Sequence, residues 1–336
     1  MSHPMSYPKV SAIMPVYNGE RHVQQAIDSV VSQHLRPTEL LIVDDGSTDG
    51  SRKLLESIEV PFAKHVLHQE NRLQSAARNL AASVATGTYL AFLDHDDIWY
   101  PHHLERLVAP MEDDPRIGWS YSDIDEMDAD GRLIGLRELR SLNPAAEHPK
   151  TSVFNMLSGD MYIFPSAAAV RRDAFVAVGG FDERLSGYED DDLFLRIFRA
   201  GWLNAFIPES GIRYRRHSSS SAFSPRMWLS RDIFAAKLVE TYPDDRDLVR
   251  FYSRDIIGPR FYECAKQEYW RHFPHGRYDL CRRAAGLMRH FSAMSRLPLG
   301  ARRLRRMVGL KILDHPELFG LLYPLLRRPA HLPRLR

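Results

Sequence analysis

Three carboxylates within four residues are the feature of this sequence most suited to chemistry. Asp94, Asp96 and Asp97 directly follow residues 89–93, an apolar run with the pattern of a strand buried on both faces. Because like charges repel and burial raises carboxyl pKa values, such a group stays ionised only in water or around a cation. Oxygen ligands on a rigid strand end suit Mg²⁺ or Mn²⁺, which would hold a diphosphate. The alternative is a solvated acidic turn before a helix that starts at Pro101.

The first hundred residues predict a sheet that would bring several such loops together. Asp44 and Asp45 also follow an apolar run, and Pro15 ends the first one. Repeated strand-loop-helix alternation predicts a parallel sheet flanked by helices, in which ligands bind beyond the carboxyl ends of the strands. The predicted strands are residues 9–14, 39–43, 62–67 and 89–93.

Another acidic segment, residues 189–192, precedes a predicted helix. Leu193, Phe194 and Ile197 have helical spacing, so the acids lie at the N-terminal end, where the helix dipole favours negative charge. We interpret Asp191 and Asp192 as capping residues. Glu189 and Asp190 are expected just before the helix, on a loop that can point into a cleft.

The second half of the sequence predicts further strands and then helices. The loop-rich residues 123–149 are expected to shape an acceptor site, and the last predicted strand ends at His217. From Met227 onward helical patterns dominate. The predicted strands of this half are residues 118–122, 167–171, 204–207 and 211–216.

Composition divides the chain into two parts of opposite charge. The 336 residues, 44% of them hydrophobic, suffice for one large α/β core and a small second domain. The net charge of +2 combines +12 from residue 271 onward, where 15 Arg and Lys accompany three acids, with −10 before it. Only Cys264 and Cys281 are present, which favours a reducing compartment, and no apolar run is long enough to span a bilayer. A cytoplasmic protein is expected.

Residues 301–313 predict a basic amphipathic helix. Leu304, Met307, Val308 and Ile312 can form one stripe, and arginines occupy the remaining arc. This composition is typical of a helix that lies on an anionic membrane surface, as a peripheral protein would. The alternative is a basic helix packed on its own domain or on a protein partner. No nucleic-acid-binding motif accompanies the basic tail, so a nucleic acid is not an expected partner.

Six segments in this order resemble the family-2 glycosyltransferases of GT-A fold, over roughly residues 8–220. They are VSAIMPVYN at 10–18, DDGSTD at 44–49, ARN at 77–79, LDHDD at 93–97, GGFDE at 179–183 and ED at 189–190. The resemblance implies a Rossmann-like, mostly parallel sheet flanked by helices. Residues 1–225 would form the catalytic domain, with nucleotide-sugar binding in about 8–120 and the acceptor side in 121–225. Residues 226–336 would form a basic helical extension.

The resemblance also implies a donor site for a nucleotide-sugar, with UDP-sugar preferred. Pro15, Tyr17, Asp45, Arg78 and Asp94 would line this site. Tyr17 would stack on the base, and Asp45 would accept a hydrogen bond from the ring N–H of uracil, which thymine shares. Arg78 suits phosphate oxygens, with a salt bridge to Asp44 as the alternative.

The chemistry implied by the resemblance is an inverting sugar transfer assisted by Mn²⁺ or Mg²⁺. Asp96 would ligate the metal, Asp94 would contact the ribose or the metal, and His217 matches a family histidine that can reach it. Asp97 is expected to cap the following turn. Asp190 matches the general base that deprotonates the acceptor hydroxyl, although Glu189 or Asp191 could substitute.

The sequence departs from the family pattern at one position, and it leaves two alternative functions. Leu73 stands where family members often have glycine, which questions how that loop approaches the nucleotide. The Gln-x-x-Arg-Trp motif of processive synthases is absent, so transfer of a single sugar to a glycan or lipid-linked acceptor in surface polysaccharide biosynthesis is favoured. The rivals are a non-catalytic sugar-nucleotide-binding module and a sugar-phosphate nucleotidyltransferase.

Overall fold

The computed structural model of this protein describes residues 7–142, 146–216, 225–295 and 311–317. The chain divides into two compact units, and the boundary falls between Phe234 and Ala235, inside a helix. The functional boundary predicted after residue 225 lies near the first residue of that helix and stays a prediction.

One nine-stranded sheet forms the centre of the first unit. Its order is β3-β2-β1-β4-β8-β6-β9-β5, and β7 pairs with β6. The strands are β1 (Val10–Val16), β2 (Glu39–Asp44), β3 (Ala63–His68), β4 (Tyr89–Phe92), β5 (Ile98–Trp99), β6 (Ile117–Met127), β7 (Leu133–Gly135), β8 (Ala168–Arg171) and β9 (Leu203–Arg215). The helices are α1 (Val23–Val31), α2 (Ser51–Ser57), α3 (Leu73–Val84), α4 (His103–Asp113), α5 (Leu139–Leu142), α6 (Val153–Ser158), α7 (Arg172–Ala177), α8 (Glu189–Arg199) and α9 (Pro225–Thr241).

The predicted α/β class is confirmed, and the first half of the sheet is entirely parallel. Strands β3, β2, β1 and β4 pair in parallel. Every residue of β1, β2 and β4 is buried, as expected for strands covered on both faces. In the second half β8 runs antiparallel to β4 and β6, so the sheet as a whole is mixed. The carboxyl ends of β1, β2 and β4 therefore share one edge.

Strand β1 continues through Pro15, where the sequence predicted its end. Ile13 O accepts the Leu93 N–H on the β4 side, and Val16 O accepts the Asp45 N–H on the β2 side. Because successive residues of a strand face opposite neighbours, the missing N–H of Pro15 falls on the β4 side, beyond the last pair there, Ile13 with Phe92. Proline is tolerated where no ladder bond is required.

Two predictions in the second half of the sheet are wrong. Residues 123–127, predicted as loop, extend β6 to Met127. The two short strands predicted at 204–207 and 211–216 form the single strand β9. Ser122 pairs with Ile207 and the adjacent Asp123 with Ser210, so a bulge on β9 absorbs Pro208 and Glu209 without ending the strand.

The second unit is helical, as predicted. A π-helical turn at Ser253–Ile257 leads into α10 (Gly258–His272), which packs against α11 (Tyr278–Met294). Their shared core contains Ala265, Tyr269, Cys281, Ala284, Ala285 and Met288. No helix among the described residues is long and apolar enough to cross a membrane. Of the predicted basic helix at 301–313, all but the last three residues lie outside the described part of the chain.

Candidate active site

The loops that follow β1 and β2 are joined by hydrogen bonds into one rim. The Asn18 N–H donates to Ser47 Oγ (3.0 Å), the Thr48 N–H donates to Asn18 Oδ1 (2.8 Å), and the Gly19 N–H donates to Ser51 Oγ (2.8 Å). Tyr17, the predicted stacking residue, precedes Asn18 on this rim and its ring is exposed. Pro15 lies within β1, two residues before Tyr17.

Asp45 directly follows β2, and the loop between β3 and α3 holds its carboxylate by hydrogen bonds. Its Oδ1 accepts hydrogen bonds from Gln69 Nε2 (2.6 Å) and from the Arg72 N–H (2.8 Å). Its Oδ2 has no hydrogen-bond partner among the described residues. One oxygen thus orients the carboxylate, and the other can accept a further N–H donor.

Leu73, the residue that replaces the family's glycine, has a left-handed backbone. Its φ is 71° at the first residue of α3. A leucine in this conformation carries strain that glycine would avoid. The conformation at this position is thus one that favours glycine over leucine.

Arg78 connects the two acidic segments singled out in the sequence. Its side chain, 2% exposed, donates from Nη2 to Asp94 Oδ1 (2.6 Å) and from Nη1 to Glu189 Oε1 (3.1 Å). Burial opposes the guanidinium charge, but the two carboxylates outweigh it and raise the pKa of Arg78. The predicted alternative partner, Asp44, instead pairs with His68 at 3.2 Å. That alternative is wrong because the β4 end and the start of α8 converge on Arg78.

The segment after β4 concentrates negative charge. Asp97 is buried, and its Oδ1 accepts the Arg215 N–H (2.9 Å) instead of capping the following turn as expected. Its Oδ2 is buried and makes no hydrogen bond of normal geometry with any described residue. Burial, Asp96 and Asp94 together raise the pKa of Asp97 well above its ordinary range. Excess negative charge at this point suits a cation.

The described residues supply only part of a metal site. Within residues 7–142, 146–216, 225–295 and 311–317, no three His, Cys, Asp or Glu side chains are grouped so as to hold a metal ion. The predicted ligand His217 lies outside these ranges. Asp94 and Asp96 nevertheless fit a cation of the Mg²⁺ type, because such ions are commonly held by one or two carboxylates together with substrate phosphates.

The sequence predicted that Glu189 and Asp190 lie just before α8. This is wrong, because they are the first two residues of the helix. Glu189 is buried and its carboxylate is occupied. Oε1 accepts from Arg78 and from Gln74 Nε2 (3.2 Å), and Oε2 accepts the Gly187 N–H (2.6 Å). Glu189 is therefore a structural anchor of this helix end.

Asp190 has a different environment from its neighbour. Its Oδ1 accepts the Asp191 N–H (2.8 Å). Burial, followed by the charges of Glu189 and Asp191, raises the pKa of Asp190 well above its ordinary range. Asp191 accepts the Met161 N–H (3.1 Å) and Asp192 pairs with Arg196 (2.8 Å), so each makes contacts beyond the expected capping. Asp190 is the acid of this segment most suited to exchange a proton with a ligand.

Arg215 is a buried residue of the site that the sequence did not single out. It donates to Asp96 O (2.8 Å), to Ala129 O (3.2 Å) and to Gln25 Oε1 (3.1 Å), besides the backbone bond to Asp97. It thereby ties the acidic segment after β4 to the end of β6 and to α1. The only signal in the sequence was its position two residues before His217.

Comparison with known proteins identifies the class of protein to which this chain belongs. The fold matches that of residues 1–349 of Staphylococcus aureus TarS solved with UDP-GlcNAc, with a TM-score of 0.64, 15% identity, and coverage of 96% of this chain and 93% of that TarS fragment. The fold is thus that of a GT-A glycosyltransferase. The sequence profile described as glycosyl transferase family 2 matches residues 11–179, half of the chain. The chain belongs to this family of glycosyltransferases.

Two sequence relatives each match part of this chain. An uncharacterized glycosyltransferase of Nostoc is 33% identical over 178 residues, which are 52% of this chain and 54% of the relative. TuaG of Bacillus subtilis, named for teichuronic acid biosynthesis, is 41% identical over 106 residues, which are 31% of this chain and 42% of TuaG. The chain thus spans about half the length of these curated relatives.

Proposed function

We propose that this protein is an inverting glycosyltransferase that moves a single sugar from a UDP-sugar to a hydroxyl group of a glycan or lipid-linked acceptor. The observation that carries the proposal is the ion-pair bridge of Arg78. One guanidinium joins Asp94, on the donor side, to Glu189, the residue next to Asp190. The residues proposed to bind metal and phosphate and the proposed base would in this way be held at a fixed separation, as transfer requires.

The nucleotide would bind on the rim formed by the loops after β1 and β2. Asp45 Oδ2 would accept the ring N–H of uracil, which cytosine lacks and thymine shares. Tyr17 would stack on the base, and Pro15 would line the same pocket. UDP-sugars are therefore the expected donors, with dTDP-sugars as the second choice.

Asp94 and Asp96 would hold the divalent cation, Mn²⁺ or Mg²⁺, and His217 is the predicted third ligand. When bound, the cation would neutralise negative charge on the departing diphosphate. Arg78 keeps Asp94 oriented, and Arg215 keeps the Asp96 backbone in place. The protein would in this way organise the donor before the acceptor arrives.

Asp190 would act as the general base. Its raised pKa makes the ionised carboxylate a stronger base than an ordinary aspartate. Glu189 cannot easily take this role because Arg78, Gln74 and the Gly187 N–H already occupy it. A single base on the face opposite the leaving group implies one in-line displacement, and hence inversion at the anomeric carbon.

We propose that the acceptor is an intermediate of surface polysaccharide biosynthesis. The proposal is by analogy with TuaG, whose name refers to teichuronic acid biosynthesis. The absence of the processive motif supports a distributive enzyme. Action on the cytoplasmic face of the membrane, with the basic C-terminal region on anionic lipid, would bring the enzyme to a lipid-linked acceptor.

Product analysis separates this proposal from its rivals. The purified protein is incubated with UDP-GlcNAc, UDP-glucose, dTDP-glucose or GDP-mannose and Mn²⁺, with water or lipid-linked oligosaccharide as acceptor. The proposal predicts release of UDP or dTDP that a chelator stops. Pyrophosphate formation from sugar phosphate and UTP would indicate a nucleotidyltransferase. Nucleotide binding with no turnover under any condition would indicate a non-catalytic module.

A further inference from the structure

The turn that precedes α8, residues 186–188, contains a non-glycine residue with a left-handed backbone. Tyr188 has φ of 61° and Gly187 has φ of 133°. A tyrosine in the left-handed region is strained, and such residues persist only where surrounding contacts hold them. Because Glu189 and Asp190 come next in the chain, the contacts that hold this turn also set the direction of Asp190.

One face of α9 contacts all three residues of this turn. Met227, Ser230 and Phe234 have the spacing i, i+3, i+7, so they lie on the same side of the helix. Ser230 Oγ accepts the Ser186 N–H at 2.8 Å. A side chain at Gly187 would overlap the sulfur of Met227.

The third contact is aromatic. The ring of Tyr188 stacks on that of Phe234, with centroids 5.4 Å apart and planes 22° apart. Phe234 and Ser230 are both almost fully buried. Each residue of the turn thus has its own partner on α9.

We propose that this face of α9 positions the general base. Met227, Ser230 and Phe234 hold the strained turn, so that α8 starts at Glu189 and Asp190 keeps its direction relative to the donor. This inference rests on the proposed role of Asp190. The hydrogen bonds that join the loops after β1 and β2 into the nucleotide rim are made within the rim, and those described above do not include a residue of α9. Loosening the α9 face should therefore affect the base and spare donor binding.

The test compares two buried phenylalanines of equal exposure. Phe234→Leu removes the stacking on Tyr188, and Ser230→Ala removes the hydrogen bond to Ser186. The matched control is Phe261→Leu in α10, because Phe261 is also 1% exposed and stacks on Phe291 with centroids 5.5 Å apart. Both leucine variants lose similar apolar contact, but only one of them touches the turn.

Two measurements are made on the full-length protein. Native-state hydrogen exchange should become at least tenfold faster at residues 186–190 in Phe234→Leu and Ser230→Ala, with no change at residues 44–49, and the control should show neither effect. In UDP release from UDP-GlcNAc, kcat should fall about tenfold while the KM for the donor stays within twofold. The split between kcat and KM is what a purely structural role would not produce.

The inference is overturned if exchange at residues 186–190 is the same in Phe234→Leu as in Phe261→Leu. It is also overturned if kcat and the donor KM change together. Failure of the proposed function has another signature. If Asp190→Asn retains full activity, the base assignment fails, whereas loss of activity in Asp190→Asn with no kcat effect in Phe234→Leu rejects only the role of α9.

Discussion

Replacing Arg78 by methionine is expected to destabilise the first unit strongly. Methionine fills a similar volume but leaves two carboxylates without their counter-charge. The side chain of Glu189 is 8% exposed and that of Asp94 is 32% exposed. The unpaired charge of Glu189 therefore accounts for most of the loss of stability, because water can solvate Asp94 once Arg78 is removed.

The magnitude follows from the burial of the Arg78–Glu189 pair. Removing one partner of a buried ion pair costs about 3–5 kcal/mol, since the remaining charge is uncompensated. Glu189 keeps its bonds to Gln74 and the Gly187 N–H, which places the expected loss near the lower limit. For a unit of this size, a loss of ~3 kcal/mol lowers the unfolding temperature by roughly 6–12 °C.

The assay is denaturant or thermal unfolding of three variants at neutral pH. Arg72→Met is the matched control, because Arg72 pairs with Glu183 at 2.7 Å but with side chains 62% and 41% exposed. An exposed pair of this kind contributes no more than about 1 kcal/mol. The double variant Arg78→Met with Glu189→Gln should recover most of the lost stability, because the buried charge is then absent. The reasoning is refuted if Arg78→Met behaves like Arg72→Met or if the double variant is no more stable than the single one.

Three further predictions concern pH, backbone strain and helix propensity. Because the folded pKa of Asp190 is raised above 3.8, sugar transfer should be lost, as pH falls, at a higher pH than for an ordinary aspartate. By the same linkage Asp190 opposes folding above about pH 4, because its carboxyl ionises more readily in the unfolded chain than in the folded one. Asp190→Asn should therefore unfold at a higher temperature than wild type at pH 7 and at the same temperature near pH 3; equal stability at pH 7 would contradict this. Leu73→Gly should be more stable than Leu73→Ala by about 1 kcal/mol in urea unfolding, because only glycine relieves the left-handed strain; a less stable glycine variant would show that the strain is absent. Gly286→Ala within α11 should stabilise the second unit by about 0.5–1 kcal/mol, since the added Cβ would lie no closer than 3.8 Å to any neighbour, and a lower unfolding temperature would refute it.

The positions of the acidic loops could be predicted from the sequence because they follow from strand geometry alone. Buried strands that alternate with helices pair in parallel, and their carboxyl ends then share one edge. Asp45 and Asp94 lie at the ends of their strands for this reason. Pro15 was misjudged because a proline is compatible with a strand wherever its missing N–H meets no partner, and this depends on where the neighbouring strand ends.

The partners of the site residues could not be predicted, because they come from segments far apart in the sequence. Arg78 was assigned either to phosphate or to Asp44, yet it joins Asp94 to Glu189, which is 111 residues away. Similarly, Asp45 is oriented by Gln69 and the Arg72 N–H, which the sequence did not connect with Asp45. Sequence spacing identifies which residues can do chemistry, whereas tertiary packing decides which of them meet.

The most direct test of the proposed general base is a comparison of Asp190→Asn with Asp191→Asn in two assays. Asp191→Asn is the matched control, because an asparagine oxygen can still accept the Met161 N–H. UDP binding is measured by calorimetry with Mn²⁺, and turnover by UDP release from the preferred UDP-sugar. If Asp190 is the base, both variants should bind UDP like wild type and only Asp190→Asn should lose turnover, by about 10²–10⁴-fold. Full turnover in Asp190→Asn, or an equal loss in Asp191→Asn, would contradict it.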